Sequence, residues 1–328
     1  MITQEVVPIE TGSLAKDPDQ LECPICASPR PARWITAPDR FNGREKPNQL
    51  LRCSKCSLVW LHNPPAPAEM GDHYGADYDR TISSAAQSSA HWIPRRDELC
   101  RLKSGGAVLD LGCSTGGFLS TLKGPSWKLF GIEMSEDAAK VARSRCGAEV
   151  FVGDILDAHF APASFDAITC FNVFEHVYAP REVLAKIAEW LKPGGIFYTM
   201  MPNIDSAGAR IFRTYWYALE LPRHLFHFSP STLKLVSQSV GLKQTLLSTH
   251  RELYFEASVH YIFDDVLKKF GISRPPLAKS RTYGVAYRFV RKIFRLTLLP
   301  LFSAAAALAG DGETITAVFT KGDSSQQH

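Results

Sequence analysis

The sequence has no run of about 18 uninterrupted apolar residues, the least that a helix needs to cross a bilayer, so it offers no helical membrane span. Its first stretch, Met1 to Asp19, lacks both a basic start and an apolar core. No secretory signal is read there, and a cytoplasmic location is expected. Internal repeats and low-complexity tracts are absent. Strong net charge is missing too, since 37 Lys and Arg stand against 33 Asp and Glu. That balance gives the chain as a whole little pull on a polyanion. What is left is an ordinary soluble composition of 328 residues, enough for one large domain or two moderate ones.

Cysteine is sparse and unevenly placed. Cys23-Pro-Ile-Cys26 and Cys53-Ser-Lys-Cys56 are paired C-x-x-C knuckles with 26 residues between them, while Cys100, Cys113, Cys146 and Cys170 stand alone. In a reducing compartment two such knuckles suit a tetrahedral four-thiolate Zn2+ site, and four thiolates leave no open position, so the expected zinc is structural. Two redox disulfides would want a strand-to-helix setting, which neither pair has. Residues 21 to 60 also hold seven Lys and Arg against three Asp and Glu, so the small positive balance is concentrated there.

Composition divides the chain. Residues 1–20 read as a flexible arm and 21–62 as the zinc-binding module. Residues 63–106 read as a linker, stiffened by Asn63-Pro-Pro-Ala-Pro-Ala68, with a lid helix over about His91 to Leu102. Across 107–328 strand and helix patterns alternate as in a doubly wound α/β sheet. Strands are expected at Ala107–Leu111, Leu129–Glu133, Val150–Asp154, Phe165–Asn172, Ile196–Met201, Leu242 to about Ser248, and Glu313–Thr320. Ser135 and Ser229 are expected helix N-caps, Pro180 and Pro230 first helical residues, and Lys192-Pro-Gly-Gly195 a stop. A helical insertion, roughly 249–311, fits no regular βα unit.

The run Val108-Leu-Asp-Leu-Gly112-Cys-Ser-Thr-Gly116-Gly117 turns a buried strand into glycines and then into helix. Gly112 and Gly116 let backbone pass close beneath a ligand. A pyrophosphate fingerprint wants glycine where Ser114 stands, and Asp110 favours a cationic ligand over a phosphate. Glu133 ends the next strand 21 residues after Gly112, where an acid can take both hydroxyls of a ribose.

These residues resemble motif I and its companions in the class I S-adenosylmethionine-dependent methyltransferases, over about Ala107 to Thr320. The resemblance implies a seven-stranded Rossmann-like sheet preceded by the zinc module, with S-adenosyl-L-methionine as cofactor. It places Asp110, Gly112, Ser114 and Gly116 under the cofactor, and Glu133 and Met134 at the ribose. Asp154 and Ile155 fall beside the adenine, and Asn172 to His176 beside the methionine moiety. Glu175-His176-Val and Pro202-Asn203 are similar to the branch of ubiquinone-type O-methyltransferases and sugar methyltransferases. The cysteine module continued by Tyr74 and Tyr78 is similar to the N-terminal part of sugar C-methyltransferases. Cys113 and Cys170 read as small buried hydrophobes, while Asp166 fits a strand-start or turn role as well as any site role.

The protein must align the acceptor and take its proton. His224, in Arg223-His-Leu-Phe-His227, is the preferred base, with His176 and Tyr74 as alternatives. The leading acceptor is a small molecule, a sugar nucleotide or a lipid-linked glycan precursor. An RNA methyltransferase gripping phosphates through the basic module is an alternative. It is disfavoured by the module's few aromatics and by the neutrality of the remaining chain, so nucleic acid is not the expected partner. A non-catalytic methyltransferase-like scaffold is disfavoured by the intact Asp110, Glu133 and Asp154. The 285–302 region, with Arg288, Arg291, Lys292 and Arg295 on one helical face, reads in two ways. It is either a helix packed over the active-site edge or a basic amphipathic helix making peripheral contact with the inner face of a membrane.

Overall fold

The computed structural model describes residues 21–74, 89–271 and 312–322, together with Phe289, Lys292, Ile293, Leu296 and Thr297. The expected arm 1–20, Tyr78, Arg288, Arg291, Arg295 and the run Leu298–Phe302 lie outside the described residues. Strands follow in the order β1 (Ala32–Asp39), β2 (Arg44–Arg52), β3 (Val59–Leu61), β4 (Gly106–Leu111), β5 (Trp127–Glu133) and β6 (Glu149–Val152). Then come β7 (Phe165–Phe171), β8 (Leu191–Pro202), β9 (Phe226–His227), β10 (Leu242–His250) and β11 (Thr314–Lys321).

Seven strands form one sheet in the order β10-β11-β8-β7-β4-β5-β6. From β8 to β6 neighbouring strands are parallel, whereas β11 lies between β8 and β10 and runs antiparallel to both. This is the Rossmann-like methyltransferase architecture. Winding goes outward from β4 to β5 and β6, then restarts on the other side with β7. The crevice at the carboxyl ends of β4 and β7 is therefore the switch point where such sheets bind ligands. β4 and β7 are buried and apolar, as strands covered on both faces must be.

Helices start and stop where local chemistry dictates. Ser135 Oγ accepts the Ala138 N–H at the start of helix Glu136–Cys146, and Gly147 closes that helix in the left-handed region. Ser229 and Thr232 form a capping box on helix Pro230–Gln238. Helix Pro180–Trp190 buries Val183, Leu184, Ile187 and Trp190, one apolar stripe at helical spacing. In helix Ser89–Leu102, Trp92 packs its ring against Phe118 and Phe171, centroids 5.9 and 5.8 Å away. Asp166 is a structural pin, accepting the Ala107 N–H at 2.8 Å and pairing with Lys192 at 2.7 Å. Cys113 and Cys170 are buried free thiols, their pKa values raised first of all by burial.

The second sheet, β1-β2-β3-β9, changes the picture that composition suggests. Its first three strands belong to the cysteine module, but β9 comes from the loop after β8. Val59 pairs with His227 and Trp60 with Phe226, and the Leu61 N–H donates to the Leu225 carbonyl at 2.8 Å. Leu50, Leu51 and Leu58 of the module share one hydrophobic core with Phe174, Leu219, Leu225 and Phe228. The proline-rich stretch thus joins two parts of one core, and Tyr178 Oη donates to its Pro65 carbonyl at 2.8 Å.

Candidate active site

On the cofactor side, positive φ alternates along the turn after β4: 67° at Gly112, 48° at Ser114 and 72° at Gly116. A methyl group at Gly112 would collide with Val173, so the close approach needs glycine there. Ser114 adopts the same left-handed conformation despite its Cβ, at a strain of about 1 kcal/mol. That explains how serine replaces the expected middle glycine. The Glu133 carboxylate ties the turn to β5, accepting the Ser114 N–H through Oε2 and the Ser135 N–H through Oε1, both at 2.9 Å.

Asp110 is buried in β4 and accepts the Thr169 hydroxyl at 2.6 Å. Burial, with a smaller push from Glu133, raises its carboxyl to about 7, so a cation in the crevice would favour its ionised form. Asp154 accepts the Leu156 N–H at 2.8 Å and caps the short turn Ile155–Asp157, and Ile155 is buried behind it. Met134 stands 69% exposed next to Glu133, an apolar side chain left in water. Asn172, at φ 55°, follows β7 directly, with its N–H donating to the Met200 carbonyl at 2.8 Å.

The fold gathers the three candidate bases Tyr74, His176 and His224 from three distant segments. The His176 and His224 rings meet edge to face, centroids 4.6 Å apart, and Tyr74 Oη lies 3.3 Å from His176 Nδ1. The proton states follow from the partners. His176 Nδ1 is 2.9 Å from the Arg223 carbonyl, which can only accept, so Nδ1 carries the hydrogen and Nε2 keeps its lone pair. Burial first, then the neighbouring His224 charge, holds His176 down to about 3.

His224 is the reverse case. Its Nδ1 faces the Ala218 carbonyl at 2.9 Å and its Nε2 faces the Glu220 carboxylate at 3.2 Å. Burial opposes its charge, but Glu220 outweighs burial and the pKa is raised. With both ring nitrogens donating, the side chain is an imidazolium with no lone pair to offer. Glu220 itself is held down to about 2, since His224 and Arg223 outweigh its burial. Arg223, fully buried, pairs with Glu220 at 2.9 Å and lies over the Phe41 ring at 3.8 Å.

Two acids join this cluster: Glu175, which the resemblance placed only as part of the Asn172–His176 loop, and Glu220, to which the motifs assigned no role. Glu175 is 2% exposed, and neither carboxylate oxygen has a hydrogen-bond partner from another of the described residues. Burial lifts its pKa to about 7. Its carboxylate, His176 and His224 present ligand atoms within 4.8 Å of one another. Glu220 precedes Arg223 and His224 by three and four residues, a spacing that was visible but carries no meaning until the loop's fold is known.

The cysteines converge as expected. Cys23 Sγ lies 3.5 Å from Cys56 Sγ and Cys26 Sγ 3.6 Å from Cys53 Sγ. A zinc–sulfur bond of about 2.3 Å requires a tetrahedron edge of about 3.8 Å, so the four thiols fit that ion with little movement.

Comparison with known proteins agrees with this geometry. A family model described as a methyltransferase domain matches residues 84–247, half of the chain. The ubiquinone biosynthesis O-methyltransferase of Thiobacillus denitrificans is 31% identical over 166 residues, which cover 46% of this chain and 69% of that protein. That of Stutzerimonas stutzeri is 29% identical over 196 residues, covering 54% and 83%. Among solved structures, phosphoethanolamine N-methyltransferase 2 from Haemonchus contortus superposes with a TM-score of 0.52 at 15% identity, covering 79% of this chain and 61% of that one. At that identity the likeness speaks for the fold alone. The chain belongs to the class I S-adenosylmethionine-dependent methyltransferases. It is an enzyme whose methyl donor is S-adenosylmethionine.

Proposed function

We propose that the acceptor is a small molecule methylated on a hydroxyl oxygen, and that the hydroxyl belongs to a glycosyl unit carried on a nucleotide or a lipid. The observation that carries this reading is His176, a half-buried, neutral imidazole with its Nε2 lone pair unspent, beside a cationic histidine. The cofactor supplies a methyl group on a sulfonium, ready for in-line displacement. His176 Nε2 removes the hydroxyl proton as the oxygen attacks, and the Glu175 carboxylate offers counter-charge to the imidazolium that forms. His224, our first choice from sequence, instead serves with Glu220 and Arg223 to fix the loop and its field. Tyr74, whose burial raises its pKa to about 12, stays a neutral phenol and orients the His176 ring.

Phe41, Trp216, Tyr217 and Tyr261 border a crevice of about 10 Å³ between the module and residues 214–221, room for about one water, so an acceptor ring enters there only if the crevice widens. A phenol would serve the same base equally, and the ubiquinone biosynthesis relatives favour that second reading. The purified enzyme should add one methyl group to a nucleotide sugar, seen by mass spectrometry of the product. Methylation of phenolic acceptors alone would establish the second reading, and methylation of RNA with no small molecule accepted would defeat both.

We also infer a peripheral membrane contact through the 285–302 region, where Phe289, Ile293 and Leu296 are exposed around Lys292. Flotation with anionic liposomes at low salt should carry the protein upward. Protein that stays wholly at the bottom of the gradient rejects the contact.

A further inference from the structure

The cysteine module touches the rest of the molecule chiefly on the acceptor side. β9 is two residues long, and its partner in the sheet is β3. β3 in turn grows directly out of the second knuckle. The Cys53 N–H donates to the Leu58 carbonyl and the Ser57 N–H to the Cys53 carbonyl, which sets the direction in which Val59 leaves. The Lys55 and Cys56 N–H groups both point at Cys53 Sγ, at 3.4 Å. On its other flank the β9 segment is stitched to the active site by the Leu225 N–H, which donates to the Glu175 carbonyl at 2.8 Å.

The loop that precedes β9 is held by the same module. Arg40 donates to the Thr214 carbonyl at 3.1 Å, pairs with Asp265 at 2.7 Å and lies over the Tyr215 ring at 3.7 Å. Phe41 carries Arg223. Every one of these contacts leads to the segment 214–228 or its neighbour, the segment that contains Glu220, Arg223, His224 and His227. The cofactor turn has separate anchors: Gly112 and Cys113 donate to the Ile132 carbonyl, and Ser114 to Glu133.

We propose that the metal at Cys23, Cys26, Cys53 and Cys56 is a positioning element for the acceptor half of the active site, acting through β3 and β9, and that the cofactor half is independent of it. This rests on reading the His176–His224 cluster as the acceptor side. Metal binding supplies folding free energy to small thiolate modules, so losing the ion frees β3 first. A two-residue strand has too few bonds to hold its place without that neighbour.

Elemental analysis of the reduced full-length enzyme should first find one zinc per chain. Treatment with a strong chelator should then speed amide exchange at Leu225 to Phe228 by about 100-fold or more, an opening of the local structure. S-adenosylhomocysteine affinity, measured by calorimetry on the same sample, should be unchanged, and added Zn2+ should restore protection. The Trp60→Ala variant removes the side chain paired across from Phe226 and should loosen β9 while keeping the metal. The exchange and calorimetry readouts do not depend on knowing the acceptor, so they stand even if the acceptor reading fails. The proposal is overturned if the protein carries no metal, if β9 stays protected without it, or if cofactor affinity falls along with the protection.

Discussion

Methyl transfer by the His176→Gln variant is expected to fall by about 10²–10⁴-fold at saturating cofactor, the usual contribution of a well-placed base. Glutamine can keep a hydrogen bond to the Arg223 carbonyl but has no basic lone pair. His224→Gln should cost less, since His224 shapes the loop without receiving the proton. The pH profile separates the two. Burial and the His224 charge hold the His176 pKa down to about 3, so above that value it is already neutral. An enzyme using it loses no base as the pH falls from about 8 to 5, and its profile stays flat once Glu175→Gln removes the neighbouring carboxyl that burial raises to about 7. Were His224 the base, its raised pKa would require the proton kept by Glu220 to leave, and activity would climb with pH across that range. A rising profile with near-normal turnover in His176→Gln would return the role to His224.

Replacing Glu133 with alanine should weaken S-adenosylhomocysteine binding at least about 100-fold. On the ribose assignment, two charge-assisted hydrogen bonds, each contributing about 1.5–3 kcal/mol, are removed together, and about 3 kcal/mol corresponds to that factor. The loss has a second source, because the same carboxylate holds the Ser114 and Ser135 N–H groups and so the shape of the turn. Glu133→Gln keeps the size of the side chain, and the difference between the two variants reads the charge. Undiminished affinity of Glu133→Ala in calorimetry would remove the ribose assignment.

The sheet was legible because its signals are local. Apolar runs that end in Gly, Pro or a capping serine gave six of the strands to within a few residues; the seventh, β8, starts at Leu191, five residues ahead of the expected Ile196, and takes in the Lys192-Pro-Gly-Gly195 turn. The knuckles were legible because two thiols in one tight turn suit few purposes other than metal binding. β9 was not, since Phe226 and His227 become a strand only by pairing with residues about 170 positions earlier. The roles within the histidine cluster were not legible either. His176 and His224 look alike in sequence, and what separates them is which acceptors face their ring nitrogens: a carbonyl for one, a carbonyl and a carboxylate for the other. Glu175 sat beside His176 in plain view, but its lack of a hydrogen-bond partner among the described residues is a property of the packed core.

The placement of β11 bears on how the molecule is made. β11 separates β8 from β10, and among the described residues β10 has no other neighbour in the sheet. A nascent chain that has emerged as far as His250 therefore cannot dock β10, and it displays the Ile196–Pro202 edge of β8 with its backbone groups unpaired. Such an edge invites pairing with other chains. The cofactor crevice can form during synthesis, but one flank of the sheet must wait for residues 314–321, and a ribosome stalled before them leaves an aggregation-prone species for chaperones to shield.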